Sequence, residues 1–447
     1  MIYIIINYIF WRLNEVNVYL RKIQIKMNMV KKNFFIIIFL LSVFTLKSQI
    51  GYVEDPIGRK APNTITTTVP FLLIAPDTRA GGLGDAGVAT TPDVNSQHWN
   101  AAKYSFIDKD AGVSLSYSPW LRQLVNDMNL AYLSGYKRLN KENVLSASLR
   151  YFDLGSIQFT DEQGKLLKDF NPHELAVDFG YSRLFGPKFS GAVALRFIYS
   201  NLAGSQTVNN LSSSPGKALA ADVSFYYYND ELSTGGIPST IMWGVNISNM
   251  GNKISYTTNE NRDFIPANFR TGVGYLLQID DHNEIMFTCD FNKLLVPTPP
   301  LYYSAGDTLP NGNVVGTGEK IIHYGKDPNI SLAQAIFTSW WDAPGTNHPF
   351  GKDGKTSRLK EELAEITISA GFEYWYNKQF ALRVGYFHEH EYKGNRKYFT
   401  FGAGLKMNVF GLDFAYLLPV TQANPLQNTL RFTLTFDFGG LAAENSR

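Results

Sequence analysis

The sequence predicts an all-β transmembrane fold. It is a closed antiparallel outer-membrane barrel of about fourteen strands, with an N-terminal plug segment and a long extracellular loop that contains helix. Three observations predict it. Between residues 111 and 438, apolar and polar residues alternate in segments long enough to cross hydrocarbon as tilted strands. The connections between these segments are alternately short and long. The charges inside the segments keep to one face.

The first element is an export signal. Met29–Gln49, "MVKKNFFIIIFLLSVFTLKSQ", has two lysines, an apolar run from Phe34 to Leu46 and a small residue, Ser48. This is the three-part pattern of a secretory signal peptide. The Ile-rich Met1–Lys26 lies upstream of where such a signal begins, so residues 1–48 are expected to be an early start plus a signal peptide, with Met27 or Met29 the true start. No cysteine follows to carry a lipid anchor. The single cysteine, Cys289, excludes an internal disulfide and any multi-cysteine metal site. A net charge of +2 leaves no electrostatic footprint for nucleic acid. Mean hydropathy is slightly negative, which does not exclude a barrel because its two faces cancel in the average.

Residues 49–110 form the second element, a Pro/Thr/Gly-rich lead-in on the periplasmic side. Within it "AGGLGDAGVA" (Ala80–Ala89) places Gly82, Gly84 and Gly87 in the G-x-G-x-x-G spacing of a dinucleotide site. That site needs a strand running straight in and a helix running out. Here Pro76 and Asp77 interrupt the approach, and two threonines and Pro92 follow. The glycines instead suit tight turns and close backbone contact, as expected of a segment folded back into the bore against the inner wall.

The third element is the barrel, 111–438. Its expected strands are 111–118, 127–137, 144–153, 174–184, 189–201, 218–228, 239–249, 268–279, 284–295, 365–376, 379–389, 396–407, 410–418 and 428–438. In "NTLRFTLTFDF", Leu430, Phe432, Leu434, Phe436 and Phe438 oppose Arg431, Thr433, Thr435 and Asp437. A charge facing lipid at mid-depth costs about 2–4 kcal/mol. Accordingly Arg150, Asp178, Arg196, Asp222, Arg270, Asp290, Glu373, Arg383, Asp413, Arg431 and Asp437 all fall on the polar faces. Their mixed signs predict a cross-linked, partly occluded lumen rather than an ion-selective pore. Tight turns such as "GPK", "DDHN" and "YNKQ" alternate with longer loops, and 229–238 is expected as one longer connection on the short-turn side. The last nine residues, 439–447, form a tail.

The loop 296–364 is far longer than a connection needs to be. In Pro328–Pro344, Leu332, Ala335, Ile336, Ser339 and Trp340 recur at helical spacing, with Asn329 or Ser331 as cap. Ser357–Glu365 is expected as a second helix, opened by Ser357 with Glu361. Leu332, Ile336, Phe337, Trp340 and Trp341 have two readings: packing on the barrel rim or in the interfacial aromatic belt, or contact with a partner protein, where tryptophan is enriched.

No catalytic, cofactor or metal site is expected. "FHEHEYK" (Phe387–Lys393) groups His388, Glu389, His390 and Glu391, but it is not H-E-x-x-H and lies at a strand end. His98, beside Trp99, suits plug packing better than general-base work.

The stretch Asp77–Phe106, "DTRAGGLGDAGVATTPDVNSQHWNAAKYSF", resembles the N-terminal signature of the FadL-type barrels. The fatty-acid transporters end it in Asn-Pro-Ala; here it reads Asn100-Ala101-Ala102. Its pattern of Arg79, Gly82, Gly84, Asp85, Gly87, then His98, Trp99 and Asn100, is more similar to the PorV family, the FadL-like component of the Bacteroidetes type IX secretion system. "ELAVDFGYSRLF" and the insertion after the ninth strand extend the likeness. The resemblance implies a non-enzymatic component embedded in outer-membrane lipid and associated with a large translocon barrel. It implies receipt of cargo proteins with C-terminal signal domains and their delivery to a sortase-like attachment complex. The alternative is a FadL-type transporter of hydrophobic compounds.

Overall fold

Alternating side chains give a strand two faces, and a broad apolar face is left outward only where the surroundings are hydrocarbon. In the computed structural model the alternating segments close on themselves as strands β1 (Ala111–Pro119), β2 (Asn129–Arg138), β3 (Asn143–Asp153), β4 (His173–Gly186), β5 (Phe189–Asn201), β6 (Gly216–Thr234), β7 (Ile237–Gly251), β8 (Asn268–Gln278), β9 (Asn283–Leu294), β10 (Thr367–Tyr376), β11 (Phe380–His388), β12 (Lys397–Met407), β13 (Phe410–Pro419) and β14 (Thr429–Phe438). Each strand neighbours the next in sequence, and β1 returns antiparallel to β14 with Ala111 opposite Phe438. Closure leaves no unpaired edge in the barrel.

The structure describes residues 63–122, 125, 127–160, 163–202, 204, 207–208, 211–257, 262–345, 354–420, 426–427 and 429–439. The expected early start and signal peptide (1–48), the beginning of the lead-in (49–62) and the tail beyond 439 lie outside the described residues.

The barrel is inverted relative to a water-soluble protein. Leu195 and Arg196 are adjacent on β5, yet the leucine is 69% exposed and the arginine 4%. Phe179, Leu219, Trp243, Phe401 and Phe436 likewise point outward, whereas Arg150, Asp178, Asp222, Asp290, Glu373, Arg383 and Arg431 are buried inside. A one-sided soluble core would not expose its aromatic residues and bury its charges.

Strand ends agree with the sequence reading to within about two residues, with one correction. The connection expected at 229–238 is strand: β6 runs on to Thr234 and β7 begins at Ile237. Asn229 and Asp230 read as loop residues, but they lie within β6, which runs unbroken from Gly216 to Thr234. The turn is made later, by Gly235 and Gly236, both at positive φ (60° and 82°). A two-residue turn of that kind matches strand twist. The described residues outside Ser233–Ile237 cluster into one compact unit, and the tip Ser233–Ile237 is, by itself, this two-glycine turn.

Residues 69–106 join no strand, yet most are buried and Pro70 alone among them is exposed. Their hydrogen-bond partners are inward-facing groups from around the wall. Thr78 Oγ1 lies 2.7 Å from Thr433 Oγ1 on β14, and Asn95 Oδ1 accepts from Ser134 Oγ on β2 at 2.9 Å. Gln97 Oε1 accepts from Ser146 Oγ on β3 at 2.6 Å, and Asn100 Nδ2 donates to the Phe225 carbonyl of β6 at 2.9 Å. Partners on so many strands place this segment inside the barrel.

Its closest approach to the wall is backbone on backbone. Gly84 sits at φ +71°, and a Cβ there would lie 2.6 Å from the Tyr386 amide nitrogen of β11. Gly84 N donates to Thr400 Oγ1 at 2.8 Å. Gly84→Ala should therefore destabilise the folded barrel by at least about 2 kcal/mol, the backbone and overpacking terms together. Gly164, at φ +78° with nothing within 4 Å of a Cβ, separates the two terms. Gly164→Ala should cost only about 1 kcal/mol; urea unfolding in detergent measures both.

Candidate functional site

The lumen segment is built on short caps. Asp77 caps helix α1 (Thr78–Gly81): one carboxylate oxygen accepts from Ala80 N at 3.0 Å, the other from Trp99 Nε1 at 2.5 Å. Burial, with Asp93 nearby, pushes the Asp77 carboxyl up to about 6. The chain then turns through the glycines, and the amides of Gly87 and Val88 both donate to Asp290 Oδ2 of β9, at 2.7 and 2.9 Å. The amides that would face a phosphate in a nucleotide loop are thus held by an internal carboxylate. On the other side of this loop the buried Lys103 Nζ donates to the Gly87 carbonyl at 3.0 Å and to Thr90 Oγ1 at 2.9 Å.

Helix α2 (Ser96–Trp99) brings the second half of the motif to the same place. A side chain at Gly87 would overlap the Trp99 ring, on which the Arg270 guanidinium also lies, 4.4 Å from its centre. Asn100 ties three elements together. Its Nδ2 donates to the Val88 and Phe225 carbonyls at 3.1 and 2.9 Å, and its Oδ1 accepts from Ala102 N at 3.0 Å. His98 Nδ1 lies 2.6 Å from Arg150 Nη2. A guanidinium only donates, so Nδ1 accepts and the proton of neutral His98 sits on Nε2. Burial, with Arg150, Arg270 and Arg196 around it, holds the His98 pKa well below its usual value, so the ring is uncharged.

The charged motif residues reach the wall directly. Arg79 pairs with Glu373 of β10 through two bonds (3.0 and 2.7 Å) and with Asp93 at 2.9 Å. Glu373 also takes Arg383 at 2.6 Å, and Arg383 takes Asp413 at 2.5 Å. Asp85 accepts from Arg431 at 2.6 Å and from Tyr398 at 2.5 Å. A second cluster, Asp178–Arg196–Asp222, lies across the lumen (2.5 and 3.0 Å). The structure therefore brings all eight motif residues to the contacts between lumen segment and wall, or to the packing that supports them. Sequence reading missed Asp77, Asp93 and Lys103, which serve these same contacts. Each reads as an ordinary loop or surface residue until its neighbours are assembled.

The insertion residues separate into two groups. Helix α3 (Leu332–Thr338) is opened by a capping box, Ser331 with Gln334. Leu332 and Ile336 pack on Ala267, Leu295 and Val296, and Trp340 meets Phe269 edge-on at 5.4 Å. Phe337 and Trp341 point away from the barrel and are 69% and 53% exposed. Helix α4 (Gly354–Ala364) begins before Ser357, so Ser357 is not its cap as expected. The Ser357 hydroxyl donates instead to the Gly345 carbonyl.

What fastens the insertion to the rim is a buried cluster that sequence reading did not identify. Lys293 of β9 pairs with Glu362 and Glu365 at 2.9 and 2.6 Å, and Lys393 pairs with Glu361 and Glu365 at 2.7 and 3.0 Å. Glu365 also accepts from Thr298 Oγ1 at 2.7 Å. Glu361 and Glu362 close α4 and Glu365 follows it directly, a grouping legible in the sequence; their lysines come from distant segments, which is not. Asp342 lies beside them, its carboxyl pushed up to about 6 by burial and by Glu362 and Glu365.

Two chambers flank the lumen segment. One, about 400 Å³ at the loop end, includes Leu73, Trp99, Arg270, Glu365, Lys393 and Arg396 in its lining. The other, about 370 Å³ at the turn end, includes Arg79, Asp93, Arg383 and Asp413. Among the described residues, no group of three His, Cys, Asp or Glu is placed to hold a metal.

Asp290→Ala leaves the Gly87 and Val88 amides buried without an acceptor, at about 1–3 kcal/mol each. Limited proteolysis in detergent should cut within 76–92 several-fold faster, whereas Asp290→Asn, which keeps an acceptor, should stay near wild type. Asp342 generates a pH effect. A carboxyl whose folded-state pKa lies above its usual value favours the folded form at low pH, and that contribution is lost as pH rises through about 6. Proteolysis of 296–364 should be faster at pH 7.5 than at 5.5, and Asp342→Asn should flatten the difference.

No curated protein matches the sequence. Among solved structures, the chain is similar to the CymD monoaromatic hydrocarbon channel (11% identity, TM-score 0.44, covering 81% of this chain and 98% of that one). It is also similar to the Pseudomonas putida toluene transporter TodX (11%, 0.41, 84% and 98%) and to a FadL homologue of Pseudomonas aeruginosa (11%, 0.40, 85% and 100%). A family model, Type IX secretion system protein PorV, matches residues 58–301, more than half of the 447 residues. That family is one of secretion barrels rather than an enzyme class, and its fold places it in the outer membrane. The chain belongs to the PorV family of type IX secretion system proteins.

Proposed function

We propose that this barrel receives cargo proteins with C-terminal signal domains from the large translocon barrel and delivers them to a sortase-like surface attachment complex. In this reading the lead-in 49–110 is a plug, the loop end faces the cell exterior, and the work is done on the rim rather than through the bore. The observation that carries it is the pair Phe337 and Trp341, exposed on an insertion that Lys293 and Lys393 fasten to the barrel. An aromatic pair held in place but left uncovered suits a protein contact better than a lipid belt, because Leu332 and Ile336 of α3 pack on the barrel and Trp340, just past its end, meets Phe269, whereas these two face away.

The alternative, transport of hydrophobic compounds, calls for an apolar route along the axis. Behind the loop-end chamber stand the Arg79–Glu373–Arg383–Asp413 ladder and the Asp178–Arg196–Asp222 cluster, which oppose such a route. The same polar filling disfavours a diffusion pore.

Deleting the gene should make signal-bearing proteins accumulate inside the envelope, and pull-down of the wild type in detergent should recover a very large barrel. Phe337→Ala combined with Trp341→Ala should lower surface delivery or translocon recovery at least about fivefold, the loss of one hot-spot contact, while leaving urea unfolding unchanged. Wild-type delivery and recovery in the double variant would count against the rim reading, and recovery of the barrel alone with bound apolar ligand would favour transport.

A further inference from the structure

Two buried polar atoms of opposite sense face each other's neighbourhood between the lumen segment and the wall. One is Nε2 of His98, in α2. Its Nδ1 accepts from Arg150, so Nε2 carries the proton of the neutral ring and is a donor. The other is Oδ1 of Asn246, on β7, an acceptor. The amide of Asn246 is held in this sense because its Nδ2 donates to the Trp99 carbonyl at 3.0 Å, and turning it over would set oxygen against oxygen. Both atoms are buried, and neither has a hydrogen-bond partner among the described residues. A buried donor or acceptor left bare is costly, and native proteins supply it with a partner.

His98 and Asn246 line one small cavity, about 10 Å³, together with Leu72, Leu73, Ser248 and Asn268. That volume holds one water molecule and nothing larger. Arg150, Arg196 and Arg270 act on His98 by their charge, which at first favours a small anion such as chloride. The cavity argues otherwise, because Asn246 Oδ1 would turn the negative end of its dipole on the anion. The guanidinium charges are also answered within the protein. Asp178 and Asp222 pair with Arg196, and Asp290, with its buried Oδ1 free of hydrogen bonds, acts on Arg270. A donor and an acceptor on one cavity call for a molecule that is both, and Ser248 and Asn268 offer the third bond that buried water usually makes.

We propose that one water molecule is bound between α2 and β7, accepting from His98 Nε2 and donating to Asn246 Oδ1, as a fixed part of the fold. It makes His98 a positioning residue of the lumen segment, tied to β3 through Arg150 and to β7 through the water. Asn246 then holds two successive residues of the motif, Trp99 directly and His98 through the bridge. The site belongs to the barrel itself, so it is tested without translocon or cargo and stands or falls apart from the secretion reading.

The test is crystallography of the purified full barrel at a resolution that shows ordered water, with sodium bromide in the crystallisation medium and a second data set at the bromine edge. The wild type should show a single peak about 2.7–3.2 Å from both His98 Nε2 and Asn246 Oδ1, without anomalous signal. His98→Phe keeps a ring but no donor and should lose the peak, with heat-modifiable gel migration reporting that the variant is folded. If that variant does not fold, the two wild-type data sets decide. No peak in the wild type, an anomalous bromide peak at the site, His98 Nε2 bonded directly to a protein acceptor, or a peak undiminished in folded His98→Phe overturns the proposal.

Discussion

Backbone meets backbone inside the barrel, and the rest of the molecule depends on that contact. Gly84 lies against Tyr386, and a Cβ at Gly82 would meet Gly402 at 3.2 Å. At that separation the Gly87 and Val88 amides come within hydrogen-bond reach of Asp290, and Gly84 N comes within reach of Thr400. Side chains at these places would hold the segment off the wall. The amides would then be buried without acceptors, which is the costlier side of the hydrogen-bond balance.

The second constraint is electrostatic. A membrane barrel of this kind turns its charges inward, and without water each needs a partner. The wall alone does not supply them all: Glu373 shares its charge between Arg383 of the wall and Arg79 of the lumen segment, and Arg431 finds its anion in Asp85 of that segment. Segment and wall therefore complete each other's charges. Buried pairs of this sort add little net stability but penalise any register in which a partner is missing. The mixed signs on the inner faces thus answer to a cross-linked interior.

Geometry at the loop end follows from the same economy of charge. Two lysines at the barrel rim bury themselves against Glu361 and Glu362 of α4 and the following Glu365, and this fastening decides which aromatic residues of the insertion are covered and which are displayed. Below it, the chamber is closed off by the lumen segment and bordered by Trp99 and Arg270. Rim and chamber are thus neighbouring surfaces with different chemistry, one aromatic and exposed, the other recessed and lined by charged as well as apolar side chains.

By itself the sequence determined the barrel: strand number, limits and the inward set of charges, because a period of two between lipid and lumen is a local property readable along the chain. It misjudged the 229–238 connection because Asn229 and Asp230 carry a loop signal that strand pairing overrides, and it misplaced the start of α4 because Ser357 serves Gly345 instead. It marked Arg79, Asp85 and the glycines as a group without specifying what they touch. Tertiary structure alone decided that Asp290 fills the glycine loop, that Lys293 and Lys393 fasten the insertion, that Phe337 and Trp341 are displayed while Trp340 meets Phe269, and that Arg270 lies on the Trp99 ring. Each of these is a partnership between residues far apart in the chain. The energy of a charge or a buried amide depends on where its partner ends up in space, which no local pattern records.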